Sequence, residues 1–197
     1  MSENTRVTEH QIAPQFTQRW SPRSFTGEAI AEAELLGFIE AARWAPSAYN
    51  VQPWRFVYAL RDTPEWTPIF ESLLEFNQGW AKRASALVVV ASRTTFVPPG
   101  STESKPNGWH AFDAGAAWGS FAHQATLAGW FTHAMAGFDA AKLAVAIGLP
   151  EGFAAHAVIA VGKRGDKAQL PEGLQGREAP SGRLALAEVA VKGRFGG

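Results

Sequence analysis

Residues 46–54, PSAYNVQPW, separate a run with helical periodicity from a run with the alternation of a β-strand. The helical run covers residues 34–44, and the strand-like run covers residues 54–60. The two prolines of the stretch exclude a regular helix and an uninterrupted strand ladder. The stretch also carries a hydroxyl, two amides, a phenol and an indole. We therefore expect an ordered loop that binds a planar ligand with a polar edge.

The remaining patterns favour an α+β fold with a mainly antiparallel central sheet flanked by helices. Residues 86–91, ALVVVA, form a continuous apolar run, which is typical of a strand covered on both faces. The strands are few and no glycine-rich nucleotide-binding turn occurs, so a parallel α/β fold is less favoured. The other predicted elements are helices at 65–77, 110–129 and 140–147, the last capped by Asp139, and strands at 130–135 and 154–162.

The sequence indicates one domain over residues 1–197, with irregular segments at both ends and in the middle. Residues 1–13 are polar and are predicted to be frayed. Residues 94–108 hold three prolines and two glycines and are predicted to form a long, mobile or lid-like loop. Glycine, proline and charged residues dominate from residue 165 onward, which predicts an extended tail.

Composition excludes several classes of function. The net charge is zero, so nothing favours binding to nucleic acid or to a membrane surface. The absence of cysteine excludes disulfides, thiolate catalysis and cysteine metal sites. The five histidines are scattered without acidic partners, and no metal site is predicted. No apolar run is long enough to span a membrane, so we expect a cytoplasmic protein. Hydrophobic residues make up 46% of the chain, which fits either an aromatic-rich core or a surface buried against a partner subunit.

No acid–base pair stands out, which favours chemistry carried by a cofactor. Arg19, Ser21 and Arg23 alternate along the chain and could clamp a phosphate together with Arg183, although such a run can also be a solvated surface. Asn50, Gln52 and Asn77 could bind the amide-like edges of a heterocycle, although Asn77 could equally cap a helix.

Residues 19–25, RWSPRSF, resemble the arginine-serine-arginine opening of the FMN-dependent nitroreductase family. Residues 46–54 are similar to the most characteristic segment of that family, and the later order agrees: Asn77 precedes the valine-rich strand, and residues 136–139, AGFD, lie where the family has a Gly-Phe turn. The resemblance covers roughly residues 16–190. It implies a nitroreductase-like three-layer α/β/α sandwich that forms a homodimer, with FMN at the subunit interface and the C-terminal tail wrapping the partner subunit.

The resemblance also implies an activity. NAD(P)H would reduce the flavin and leave, and a nitroaromatic, a quinone or an activated enone would then take its place and be reduced, in a ping-pong hydride-transfer mechanism. Two alternatives stay open: a flavin-binding or sequestering protein with little turnover, and an enzyme of the same fold with other chemistry, such as reductive dehalogenation or flavin fragmentation.

The resemblance assigns roles residue by residue. It implies that Arg19, Ser21 and Arg183 bind the phosphate, and that Arg23 lies near the ribityl chain and the flavin N1/O2 edge. Asn77 matches a position that bonds the pyrimidine edge, Ser47 and Asn50 match positions that reach FMN across the dimer interface, and Gly137 matches a turn close to the flavin N5. The full predicted cofactor-binding set is Arg19, Trp20, Ser21, Arg23, Pro46, Ser47, Asn50, Gln52, Asn77, Ala136, Gly137 and Arg183. No residue is predicted to be catalytic, because the flavin would carry the chemistry.

Three positions depart from the family pattern. Ala136 replaces a residue that is often acidic, so a bond to N5 from there would come from the backbone alone. Trp80 and Ser181 stand where lysines are common, which removes two cations from the expected cofactor site.

Overall fold

A four-stranded antiparallel sheet forms the centre of the computed structural model, which describes residues 6–195. The strands are β1 (Trp54–Leu60), β2 (Ala86–Arg93), β3 (Thr95–Phe96), β4 (Lys105–Pro106), β5 (Phe131–Met135) and β6 (Phe153–Gly162). Strands β1, β2, β6 and β5 lie side by side in that order, while β3 and β4 form a separate two-stranded ribbon. Every neighbouring pair in the main sheet is antiparallel.

Eight helices surround the sheet in residues 6–195. They are α1 (Gln15–Gln18), α2 (Glu32–Arg43), α3 (Trp66–Ser72), α4 (Glu75–Ala81), α5 (His110–Leu127), α6 (Ala140–Ala146), α7 (Glu172–Gln175) and α8 (Leu186–Val189). Single 3-10 turns occur at Ala48–Asn50 and Lys167–Gln169. No helix of this part of the chain has the length and apolar character needed to cross a membrane.

Strand β2 lies in the middle layer of a three-layer α/β/α arrangement. Its residues from Ala86 to Ser92 are all buried, as the apolar run predicts. Leu87 and Val89 belong to a core cluster with side chains of α3, α4 and α6, whereas Val88 and Val90 belong to a cluster with α2 and α5. Because successive side chains of a strand point to opposite faces, this one strand contributes to both cores. The predicted α+β sandwich with an antiparallel sheet is confirmed.

The predicted single helix at 65–77 is wrong, because the chain breaks it into α3 and α4. Leu73 and Leu74 between them have extended backbone conformations. Leu73 pairs with Phe138 in an isolated bridge, and the Leu74 N–H donates to the carbonyl oxygen of Gly137 at 3.0 Å. The helical pattern of apolar residues continues across the break, so periodicity alone does not reveal it.

The segment at 94–108 is more regular than the sequence predicts. It contains the β3–β4 ribbon, and the backbone N–H of Asn107 donates to Thr94 at 2.8 Å. The mobility of this segment stays a prediction.

Both ends of the described chain are partly tied to the body of the protein. Residues 1–5 of the predicted frayed segment lie outside the described residues. Arg6 donates from Nη1 to the backbone oxygens of Thr17 and Arg19 at 3.0 and 2.7 Å. At the other end, Leu170 and Leu174 are buried in the core cluster under α3. The predicted extended tail therefore begins by packing on its own chain, and residues 181–195 are exposed.

Helix α6 offers a direct test of the core beneath the sheet. Leu143 is fully buried there, whereas Val145, two residues later, is 85% exposed. Leu143→Ala should lower the free energy of unfolding by about 2–5 kcal/mol, because it removes buried methyl groups and leaves a cavity. Val145→Ala should change it by less than about 0.5 kcal/mol. Urea unfolding at one fixed protein concentration measures both, and equal effects would contradict the described packing.

Candidate functional site

A pocket of about 580 Å³ is lined by five arginines: Arg6, Arg19, Arg23, Arg177 and Arg183. We call it the arginine pocket. Trp20, Ser21 and His133 complete one wall. The tail supplies another with Gly176, Arg177, Ala179, Pro180, Ser181 and Arg183. None of the lining residues is acidic. Arg19, Trp20, Ser21, Arg23 and Arg183, five of the predicted site residues, thus lie together.

The alternating burial of residues 19–23 explains how the first wall forms. Trp20 and Pro22 are buried, and the Trp20 ring meets Phe131 of β5 edge-to-face at 6.2 Å. The alternate residues Arg19, Ser21 and Arg23 are only half-buried and face the pocket, as the alternation predicts. Arg19 Nη1 donates to Ser21 Oγ at 3.3 Å.

A buried carboxylate attaches the tail to this segment. Glu178 accepts hydrogen bonds from the backbone N–H of Arg23 at 2.9 and 3.0 Å and from that of Ser24 at 2.8 Å. The same stretch of tail brings Arg177 and Arg183 to the pocket. Sequence reasoning missed Arg6, Arg177 and His133, because no local motif marks them and the pocket joins segments that are far apart in the chain.

The pocket concentrates positive charge. Burial lowers the pKa of Arg19, and the nearby guanidinium groups of Arg6 and Arg183 lower it further. Burial and Arg177 lower the pKa of Arg23, while Glu178 acts in the opposite direction. The Arg23 Nε is buried and has no hydrogen-bond partner within residues 6–195. A buried N–H of a charged group that lacks an acceptor is costly, so this pocket is suited to an anion with several oxygen atoms.

His133 on β5 is the neutral member of the pocket. Burial lowers its pKa to about 4, and the positive charge of Arg23 acts in the same direction. Its Nδ1 lies 3.0 Å from the Pro22 carbonyl oxygen, which can only accept, so Nδ1 carries the proton. Trp80 packs against the His133 ring with centroids 4.6 Å apart. Position 80, where the family pattern commonly has a lysine, thus holds a buried indole. Arg6 and Arg177 bring two cations to the pocket that the sequence analysis did not assign to it.

Asn77 and Gly137 form a second group, joined by the break between α3 and α4. Asn77 Nδ2 donates to the Gly137 carbonyl oxygen at 2.9 Å. A Cβ on Gly137 would lie 2.7 Å from that same Nδ2, which is too close for any real contact. A side chain at position 137 would therefore displace the end of the Asn77 side chain from its hydrogen bond. Ala136 is exposed beside it, and Asn77 is not a helix C-cap, since it lies within α4.

The residues of the 46–54 loop form a third group and do not line the arginine pocket. Tyr49, Asn50 and Gln52 have positive φ angles of 53°, 54° and 50°. Residues other than glycine rarely adopt this backbone conformation, and its cost in free energy is tolerated mainly at functional sites. Ser47 holds the loop by accepting from the Gln52 N–H at 3.0 Å, and the buried Asp113 accepts from the Ala48 N–H at 3.3 Å. Pro46, Asn50 and Gln52 are exposed.

Comparison with known proteins gives this geometry a family. The model of the nitroreductase family matches residues 16–75. A solved structure described as an oxidoreductase containing FMN shares 46% sequence identity with this chain and superposes with a TM-score of 0.94. The match covers 100% of this chain and 99% of that one. The chain belongs to the nitroreductase family. The region matched by the family model contains Arg19, Ser21 and Arg23 and the whole 46–54 loop.

Two further relatives are similar over shorter stretches. An uncharacterised 15.4 kDa protein of Mycolicibacterium smegmatis is 37% identical over 125 residues, which are 63% of this chain and 80% of that protein. The CLA biosynthesis enone reductase of Lactiplantibacillus plantarum is 36% identical over 97 residues, which are 48% of this chain and 44% of that enzyme.

The contact between Asn77 and Gly137 in this nitroreductase-family chain can be tested with two glycine substitutions. Gly137→Ala should lower the free energy of unfolding by about 1–3 kcal/mol, because the new methyl group displaces the Asn77 amide from its acceptor. Gly79→Ala is the matched control: Gly79 is exposed within α4 with nothing within 4 Å of an added Cβ. It should stabilise by up to about 1 kcal/mol. Chemical unfolding of both variants checks the difference in sign, and a neutral Gly137→Ala would contradict the contact.

The depressed pKa of His133 predicts a pH dependence of stability. Because the folded-state value of about 4 lies below the ordinary 6.5, the contribution is intact above pH 6.5 and is lost as the pH falls toward 4. A shift of that size corresponds to about 3 kcal/mol. His133→Gln should flatten the stability curve between pH 6.5 and 4 by about that amount, whereas His10→Gln, at an exposed position, should not change its shape. Unfolding curves across this range test the difference, and parallel curves for wild type and His133→Gln would refute it.

Proposed function

We propose that this protein is an FMN-dependent oxidoreductase that uses NAD(P)H to reduce nitroaromatics, quinones or activated enones. The observation that carries the proposal is the arginine pocket, in which five guanidinium groups converge without an acidic residue in the lining. A phosphate monoester supplies the oxygens and the negative charge that such a set of donors requires.

The residues present fit FMN. Arg19, Ser21 and Arg183 would hold the phosphate, with Arg6 and Arg177 adding positive charge at the same pocket. Arg23 has an unsatisfied buried Nε to donate, and its charge would favour the negative charge of a reduced flavin. Neutral His133 adds a polar ring to the same wall.

Asn77 would bind the pyrimidine edge through the half of its amide that the fold leaves available. Its Nδ2 is already bonded to Gly137, so its Oδ1 is the atom that can accept from an N–H of a heterocycle. The bond fixes the amide in one orientation, which favours a donor edge over an acceptor edge. Ala136 could contribute only backbone groups there.

The chemistry of the bound cofactor would be hydride transfer, from NAD(P)H to the flavin and then to the acceptor. The chain's own residues would bind, orient and electrostatically assist. The similarity to an enone reductase supports activated enones among the acceptors.

We further propose a homodimer in which Ser47 and Asn50 reach the cofactor of the partner subunit. The loop at 46–54, in which Pro46, Asn50 and Gln52 are exposed, is separate from the arginine pocket of its own chain, which supports this arrangement. An uncovered face of α5 supports it too: Phe112 and Leu127 are 74% and 64% exposed, and added Cβ atoms at Gly115 and Gly119 would meet nothing within 4 Å. Exposed apolar residues of the tail, such as Val189 and Val191, would wrap the partner. A monomer that keeps its flavin would contradict the shared site.

Purification followed by anaerobic reduction tests the function. The protein should be yellow, NAD(P)H should bleach it within turnover times, and an added quinone or enone should restore the colour. A colourless protein that FMN cannot reconstitute would exclude the proposal. A yellow protein bleached no faster than free FMN would instead be a flavin-sequestering protein, and a cytoplasmic location stays a prediction in either case.

A further inference from the structure

A second pocket, of about 320 Å³, lies beside the 46–54 loop and also carries cations. Arg55 of β1 and Arg93 of β2 line it, together with Tyr49, Gln52 and Phe96. Its remaining lining residues are Val51, Pro53, Thr95, Val97 and Pro99. None of these residues is acidic, and neither arginine forms an ion pair within residues 6–195. We call this the loop pocket.

The strand register brings the two arginines together. Arg55 pairs with Ala91, so Arg93, two residues further along β2, is its diagonal neighbour on the same face of the sheet. Both guanidinium carbons lie near the ring centroid of Phe153, at 6.0 Å for Arg55 and 5.5 Å for Arg93. Arg55 is held in place by bonds from Nη1 to the backbone oxygens of Gln52 and Trp54. Two positively charged side chains thus lie near the same uncharged ring, and both have N–H groups left over for an anion.

The loop pocket also has an aromatic part. The rings of Tyr49 and Phe96 are stacked, with centroids 6.0 Å apart and planes inclined by 19°. Tyr49 keeps 75% of its surface exposed. Its backbone has a positive φ, and such strained conformations are commonly found at functional positions. A flat heterocycle can therefore lie on the Tyr49 face while a phosphate attached to it reaches the arginines.

The chemistry of this pocket matches the phosphorylated adenosine end of NADPH. A 2′-phosphate monoester carries close to two negative charges near neutral pH, which the two guanidinium groups of this pocket complement. NADH lacks only that phosphate, so a site of this kind distinguishes the two nucleotides. The loop that borders the pocket also carries Ser47 and Asn50, which we proposed to contact the flavin of the partner subunit. The nicotinamide end of an NADPH bound in the loop pocket would therefore have that flavin nearby.

We propose that the loop pocket binds the adenosine 2′-phosphate of NADPH and makes NADPH the preferred reductant. Arg55 and Arg93 bind the phosphate, and the adenine stacks on Tyr49, whose other face packs against Phe96. The inference rests on the proposed function for its role in turnover, but binding at the loop pocket can be measured without turnover.

Calorimetry on the FMN-saturated protein tests the site directly with three nucleotides. Adenosine 2′,5′-bisphosphate should bind about tenfold more tightly than adenosine 5′-monophosphate. Adenosine 3′,5′-bisphosphate has the same charge as the 2′,5′-bisphosphate but should bind less tightly than it, because its second phosphate is attached at a different position. Equal affinity for the two bisphosphates and the monophosphate would overturn the proposal.

Variants identify the residues. Arg93→Gln should remove most of the preference for the 2′-phosphate, and Arg55→Gln should act in the same direction even if its lost backbone bonds reduce stability. Phe96→Leu should weaken the binding of the 2′,5′-bisphosphate and of the 5′-monophosphate by the same factor, because both contain adenine. Arg83→Gln is the matched control: it removes one exposed arginine, whose Nη2 donates to the Thr26 carbonyl oxygen, and should leave the preference unchanged. Loss of the preference in Arg83→Gln as large as in Arg93→Gln would mean non-specific charge attraction and would overturn the site.

Steady-state kinetics separates this inference from the proposed function. In Arg93→Gln the KM for NADPH should rise about tenfold, while the KM for NADH and both kcat values change less than twofold. If both nucleotides reduce the enzyme and Arg93→Gln alters neither KM, the inference fails and the proposed function stands. If neither nucleotide reduces the enzyme but the 2′,5′-bisphosphate still binds through Arg93, the site stands and the proposed function fails.

Discussion

The convergence of five arginines on one pocket is the electrostatic constraint on which the account of this molecule depends. Burial lowers the pKa values of Arg6, Arg19 and Arg23, and repulsion from the neighbouring guanidinium groups lowers them further. The protein holds them with neutral acceptors, such as the backbone oxygens bound by Arg6, and with one buried carboxylate, Glu178, whose bonds go to backbone N–H groups. A bound polyanion would relieve this repulsion, which is why we interpret the pocket as a phosphate site.

The fold serves this site by interrupting regular structure at defined points. The break between α3 and α4 lets the Gly137 carbonyl oxygen accept from both Leu74 and Asn77, which fixes the turn after β5. The positive φ angles of Asn50 and Gln52 shape the exposed loop between α2 and β1. The uniformly buried β2 and its antiparallel neighbours supply the rigid layer that carries these irregular segments.

The sequence predicts the regular elements well because their signals are local. The range 54–60 coincides with β1, the run at 86–91 lies within β2, and Asp139 caps α6 by accepting from two N–H groups. The helix break at Leu73 could not be predicted, since its cause is pairing with Phe138, far along the chain. Arg177 was missed for the same reason: Glu178 joins segments about 155 residues apart, and no spacing in the sequence reports that contact. Arg6 was missed because no motif marks it, and one of its contacts is to Ser181 at the far end of the chain. The alternation at 19–23 allowed Arg19, Ser21, Arg23 and Arg183 to clamp a phosphate together but also allowed a solvated surface, and the family resemblance favoured the first interpretation. Their binding of FMN stays a proposal.

The central claim is that the arginine pocket recognises a phosphate on a flavin. The most direct measurement compares the affinities of the flavin-free protein for FMN and for riboflavin, which differ only in that phosphate, by quenching of flavin fluorescence. The account predicts that FMN binds at least about 100-fold more tightly, since several charge-assisted hydrogen bonds are at stake. It also predicts that Arg19→Gln removes most of this difference in affinity without weakening the binding of riboflavin. Equal affinity for FMN and riboflavin in the wild-type protein would contradict it.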